Sequence, residues 1–177
     1  WDWGLLRGRP FINRISGIFR PKYKILGSDI AGRVEAVGIA VNRFQLGDEV
    51  FGDLSRDNWG GFAEYACARE IALAPKPANM TFDEAAAVPQ AGVLGLQGMR
   101  DKVEIKPGQH VLINGAGGGA GSFAVQIAKL MGAEVTGVDN TEKLNSMRSV
   151  GADHVIDYTR EDFTRNGLRY DLILAMA

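Results

Sequence analysis

The rhythm of apolar and polar positions changes midway along the chain. Over Arg33-Val34-Glu35-Ala36-Val37 the two alternate, the period of a strand with one wet face. Short β-rich runs set between glycines, Gly32–Gly38, Gly47–Gly52 and Gly60–Ala66, predict a small antiparallel barrel with a turn at Gly47-Asp48. Pro75 and Pro77 close that region. Thr81-Phe82-Asp83-Glu84 then has the spacing of a capping box, which predicts a helix through Val88. Pro89 breaks or restarts it, and a second helix is expected from about Ala91 to Asp101.

After a turn at Pro107-Gly108 the pattern becomes one of apolar strands alternating with helices. His110–Asn114 reads as a strand, Gly115–Gly121 as a glycine loop, and Ser122–Met131 as a helix with Phe123, Ile127 and Leu130 on one face. A strand over Gly132–Val138 ends at Asp139, a helix covers about Thr141–Val150, and strands follow at Asp153–Ile156 and Tyr170–Leu174. Such alternation predicts an α/β unit with a doubly wound parallel sheet. Strand, glycine loop and helix, in that order, let backbone amides approach a pyrophosphate while the helix N-terminus adds partial positive charge. Alone, the loop is equally a tight turn or a linker. Its context is Asp139, 21 residues after Gly118, where a carboxylate can accept from an adenosine ribose. The candidate nucleotide ligands are Ala116, Gly117, Gly118, Gly119, Ala120, Gly121, Asp139 and Asn140.

Composition narrows the class. With 177 residues, 46% hydrophobic and 23% charged, the chain is globular, and disordered and collagen-like classes are excluded. A net charge of -1 and a pI near 6.2 supply no basic field for nucleic acid or an acidic lipid surface. One cysteine, Cys67, and two histidines, His110 and His154, make neither a disulfide nor a zinc set, so a metal-free, cytoplasmic protein is expected. No apolar run reaches the roughly 18–20 residues of a spanning helix, since Ala85–Met99 is cut by Pro89, Gln90 and glycines. The basic stretch from Arg7 to Lys24 is an amphipathic anchor or a solvated helix or loop, and Pro10, Gly17 and Pro21 favour the latter. The chain starts at Trp1 and ends in the apolar run Leu172–Ala177, so it reads as a piece of a longer protein whose targeting segments are not in view.

Five segments in order resemble the medium-chain dehydrogenase/reductase superfamily, in particular its zinc-independent quinone oxidoreductase-like branch. They are Gly27–Gly32 with Val37-Gly38, Leu46–Gly52, Gly60–Tyr65, Ala116-x-Gly118-Gly119-x-Gly121, and Gly151–Tyr158. The resemblance implies a GroES-like β-rich domain over residues 1–85, shortened at its N-terminus, and a Rossmann domain over 86–177, shortened at its C-terminus. It further implies a nicotinamide cofactor between the two domains, a small-molecule electron acceptor and a homodimer of the intact protein. Lys143 and Tyr158 match positions that hold a 2′-phosphate in NADPH-using relatives, whereas Asp139 favours NADH by repelling that phosphate. The balance leans to NADPH.

Departures from the family pattern carry information too. Gly27-Ser28-Asp29 stands where zinc-dependent members carry Gly-His-Glu, and a serine cannot replace the histidine ligand. Asp29 is read as orienting nearby backbone or pairing with an arginine in preference to a catalytic role. Leu94 replaces a threonine that approaches the nicotinamide in many relatives. Trp1-Asp2-Trp3 resembles the tail of a segment that lines the substrate pocket, and Phe51, Trp59 and Tyr65 are either pocket walls or ordinary core. No catalytic residue is identifiable. The resulting expectation is zinc-independent NAD(P)H-dependent hydride transfer to a quinone or an activated alkene or enone. The alternatives are a metal-free alcohol dehydrogenase, or a nucleotide-binding structural or regulatory protein without turnover.

Overall fold

The computed structural model describes residues 2–8, 23–100 and 104–176. Most of the basic segment predicted as a solvated helix or loop lies in 9–22, outside the described residues. The chain divides into two compact units, Trp1–Gln90 and Ala91–Ala177; the sequence-read boundary, at 85/86, lies within the first of them.

The first unit opens with helix α1, Asp2–Arg7, and contains an antiparallel sheet of β1 (Asp29–Arg33), β2 (Glu49–Asp53) and β3 (Leu73–Pro75) in that order. Central β2 alternates as expected, with Val50 5% exposed and Leu54 just beyond it fully buried. The strand expected over Arg33–Val37 ends early. Val34 still exchanges hydrogen bonds with Asp48 O and Gly47 N–H, both 2.9 Å, but the Gly47 turn then carries the partner strand away. Val37 is consequently exposed and the alternation continues without a ladder. Gly60–Ala66 is not a strand either. Trp59 sits at φ 58° and Gly60 at φ 103°, a bend incompatible with extended pairing. Its contacts run instead from the Gly61 and Phe62 N–H groups to Gly27 O and Leu26 O.

Helix α2, Phe82–Ala86, starts as the capping box requires: Thr81 Oγ1 accepts from Glu84 N–H, and the Glu84 carboxylate accepts from Thr81 N–H at 2.8 Å. Helix α3, Pro89–Arg100, begins two residues before the expected Ala91. Proline fits its first turn, where no intrahelical N–H bond is needed.

The second unit is a parallel sheet of β4 (His110–Asn114), β5 (Glu134–Asp139), β6 (His154–Asp157) and β7 (Leu172–Ala175), ordered β6-β5-β4-β7. The chain steps outward from β4 to β6 and then returns to the other side of β4, which makes the carboxyl end of β4 a topological switch point. Helices α4 (Gly119–Leu130) and α5 (Leu144–Ser149) are the connections. Two expectations for α4 need correction. It starts at Gly119, inside the glycine run, and Leu130, grouped with Phe123 and Ile127 on one face, is 88% exposed. The buried face is Gly121, Ala124, Val125 and Ala128, because small side chains let the helix lie close against Val111, Ile113 and Val135 of the sheet. Among the described residues no helix is long and apolar enough to cross a membrane.

Candidate functional site

The carboxyl end of β4 leads into a loop whose amides are mostly committed. Gly115 turns at φ 86°; its N–H and that of Ala116 both donate to Val138 O at 2.9 and 3.2 Å, and Gly118 N–H donates to Gly115 O. Ala116 is fully buried against Gly137, so its side chain packs the loop onto the sheet. Gly118 is the N-cap of α4 and offers no side-chain cap. Among the described residues the N–H groups of Gly119, Ala120 and Gly121 meet no acceptor. They are the first donors of a 12-residue helix, carrying its positive end. At Gly121 a Cβ would lie 2.1 Å from Gly115 O, so only glycine lets the helix start this close to the loop.

The remaining candidates converge on the ends of β5 and β6. Asp139, the last residue of β5, accepts Gly117 N–H on Oδ2 at 3.0 Å and Asn140 N–H on Oδ1 at 2.8 Å. Asn140 Oδ1 accepts from Glu142 N–H and caps a short 3-10 turn over Thr141–Lys143. Lys143 lies beside the loop, its Cβ 2.5 Å from where a Gly117 Cβ would stand. Tyr158 donates its N–H to Asp139 O at 3.2 Å and leaves its ring half exposed. The fold therefore gathers residues 116–121 with Asp139, Asn140, Lys143 and Tyr158 at the carboxyl ends of the strands.

Sequence reasoning passed over the residue that holds this end of the sheet together. Buried Asp157 accepts from Thr141 Oγ1, Thr159 N–H and Thr159 Oγ1, at 2.5, 3.0 and 2.6 Å. The Thr141 hydroxyl, followed by that of Thr159, holds its carboxyl below the usual range, and Arg160 adds to the effect. Asp157 thereby ties the turn carrying Lys143 to the segment carrying Tyr158. The signal was present as Asp-Tyr-Thr, the spacing of an Asx turn. A cavity of about 680 Å³ opens here, walled by Asn114, Tyr158, Arg160 and Phe163.

The first unit holds a second polar group. Ser28, 1% exposed, donates its N–H and Oγ–H to Asp2 Oδ2 at 3.1 and 3.3 Å. Asp2 Oδ1 is buried and meets no donor among the described residues. Asp29 Oδ1 accepts Gln90 N–H at 3.0 Å, so Asp29 orients neighbouring backbone. Burial, with the charges of Asp53 and Asp2, pushes its carboxyl up to about 6 against the lowering effect of the Gln90 N–H. Of the three aromatic residues considered as pocket walls, Tyr65 lines a cavity of about 1240 Å³ with Ile30, Val34 and Phe44. Trp59 is core, packed on Tyr23 with ring centroids 5.8 Å apart. Leu94 is half exposed on α3.

Comparison with known proteins matches both units. The alcohol dehydrogenase GroES-like domain matches residues 2–78, and the zinc-binding dehydrogenase domain matches residues 119–168. The chloroplast envelope quinone oxidoreductase homolog of Arabidopsis thaliana is 34% identical over 99% of this chain and 55% of that protein. The 2-methylene-furan-3-one reductase of Solanum lycopersicum is 37% identical over 86% of this chain and 41% of its own length. Among solved structures, the quinone oxidoreductase from Coxiella burnetii superposes with a TM-score of 0.85 at 30% identity, covering 97% of this chain and 54% of that one. The Escherichia coli quinone oxidoreductase complexed with NADPH gives 0.75 at 34% identity, covering 86% and 48%. The chain spans about half the length of the curated relatives it matches. A GroES-like domain followed by a parallel sheet with a glycine loop at its switch point, both matched at these identities, places the chain in the medium-chain dehydrogenase/reductase superfamily.

Proposed function

We propose that the protein is a zinc-independent, NAD(P)H-dependent oxidoreductase that reduces quinones or activated alkenes and enones, with NADPH preferred. The observation that carries this reading is the set of three uncommitted N–H groups of Gly119, Ala120 and Gly121 at the uncapped start of α4. They fit a pyrophosphate, which needs several backbone donors, positive potential and no intervening side chains. When bound, the nicotinamide supplies a hydride from C4. Lys143, whose stem packs beside Gly117, and the half-exposed Tyr158 are together suited to a 2′-phosphate. The relative named NADPH-dependent alkenal/one oxidoreductase, from Arabidopsis thaliana, supports both the cofactor and the acceptor class.

Zinc independence rests on side-chain chemistry. Ser28 spends its hydroxyl on Asp2 and offers no imidazole. Both histidines lie at the amino ends of their strands, His154 at 2.9 Å and His110 at 3.7 Å from Glu134 carboxylate oxygens. A cytosolic site of action is proposed from the single cysteine, and cell fractionation tests it, since several relatives of this kind carry chloroplast names. The catalytic proposal is tested by following NADPH oxidation with a panel of quinones and enones in the presence of a chelator. Turnover that survives chelation is expected. Activity lost on chelation and restored by zinc contradicts the zinc-independent reading, and tight nucleotide binding without turnover across the panel favours a regulatory binder.

A further inference from the structure

We infer that Asp139 is a positioning residue that braces the phosphate loop, and that it does not choose between NADH and NADPH; this rests on the dinucleotide reading above. A carboxylate at the end of a second strand reads the ribose by accepting from its hydroxyls. In this chain both oxygens face backbone: Oδ2 takes Gly117 N–H at 3.0 Å and Oδ1 takes Asn140 N–H at 2.8 Å. Charge-assisted bonds of this length are the strong kind, and here they fix a loop with no side chain of its own to hold it. The Gly117 bond commits that amide, whereas among the described residues the Gly119, Ala120 and Gly121 amides meet no acceptor. The Asn140 bond fixes the start of the turn that carries Lys143. The turn that carries Lys143 keeps a second tie, from Thr141 Oγ1 to Asp157, so the brace falls chiefly on the loop. The donors that would meet phosphate are thus preorganised by a residue that need not touch the ligand.

The brace acts on a part common to both nucleotides, so its loss costs both equally. Asp139→Ala and Asp139→Asn are to be titrated with NADPH and NADH, with thermal melts as a fold control. The expected result is a loss of about tenfold for each nucleotide in Asp139→Ala, with the NADPH to NADH affinity ratio unchanged within about twofold. Asp139→Asn keeps one acceptor oxygen and should recover part of the loss for both. A ratio that moves tenfold towards NADPH in either variant overturns the inference and restores Asp139 as a ribose reader. A second readout needs no nucleotide: amide hydrogen exchange at Gly117 is expected to be at least tenfold slower than for an unstructured loop, and fast in Asp139→Ala. Fast exchange at Gly117 in the unsubstituted protein also overturns it. A protected Gly117 in a protein that binds neither nucleotide contradicts the dinucleotide reading and upholds the brace.

Discussion

Gly121→Ala probes the geometry that makes the loop a phosphate site. An added Cβ would stand 2.1 Å from Gly115 O, 2.7 Å from Ala116 Cα and 2.8 Å from Gly115 C, all backbone atoms that cannot rotate aside. Restoring van der Waals contact requires α4 to withdraw by about 1 Å, and a gap of that size forfeits roughly a quarter to a half of each contact it opens. The side chains affected are Ala124, Val125 and Ala128, each fully buried against the sheet. Over-packing of this kind costs about 1–3 kcal/mol, and alanine returns at most about 1 kcal/mol of helix propensity. The expected net loss is about 2 kcal/mol, a fall in Tm of roughly 4–8 °C for a chain of this size. Gly119→Ala is the control. Its Cβ meets only Ala91 Cβ at 3.8 Å, an ordinary contact, so the same glycine-to-alanine change should be neutral or stabilising there. Differential scanning calorimetry of both variants decides the matter. A Gly121→Ala protein that melts at or above Gly119→Ala refutes the steric argument.

Other consequences can be measured alongside it. Asp29→Asn keeps the oxygen that accepts Gln90 N–H and removes a charge whose pKa is raised to about 6 by burial and neighbouring carboxylates. Because the folded state holds that proton more tightly, the native charge costs nothing below the unfolded value near 3.8 and its full penalty above about 6. After discounting for partial exposure, urea unfolding should find the variant about 1–2 kcal/mol more stable at pH 8 and unchanged below pH 4. Asp153 behaves in the opposite sense: burial pushes its carboxyl up, but Lys129 at 2.7 Å and the Val135 N–H outweigh this and leave it lowered. Its contribution is present above the unfolded value and lost as the pH falls, so Asp153→Asn should be less stable at pH 7 and converge on the unsubstituted protein in acid, as a pH series of melts would show. Thr81→Ala removes the N-cap of α2 and should cost about 1 kcal/mol in chemical denaturation. Lys143→Ala should weaken NADPH by about tenfold, 1.4 kcal/mol, and leave NADH unchanged in a fluorescence titration.

The second unit was more legible than the first, for a physical reason. Parallel strands buried on both faces and a glycine loop leave strong local signals, and β4 appears at the residues its apolar run predicted, His110–Asn114. The capping box at Thr81 and Glu84 was readable because it is satisfied within four residues. What sequence alone missed depended on partners distant along the chain. Alternation at Arg33–Val37 says nothing of where the Gly47 turn removes the neighbouring strand. Phe123, Ile127 and Leu130 are the largest apolar side chains of α4, but close approach to the sheet selects the smallest, Gly121, Ala124 and Ala128. In the site, the glycines and Asp139 were visible as residue types. That the Asp139 carboxylate turns to Gly117 N–H, 22 residues earlier, needed the fold. Asp157 was missed because its role is defined by Thr141, 16 residues before it.

Hydride transfer itself is the most direct test of the proposed reaction. NADPH carrying deuterium at the transferring C4 position would be incubated with the intact protein, an α,β-unsaturated ketone and a chelator, and the product examined by mass spectrometry and NMR. The account predicts a saturated ketone bearing one deuterium, at the carbon β to the carbonyl. Bound NADPH with no deuterium delivered to any enone or electron from it to any quinone would contradict it.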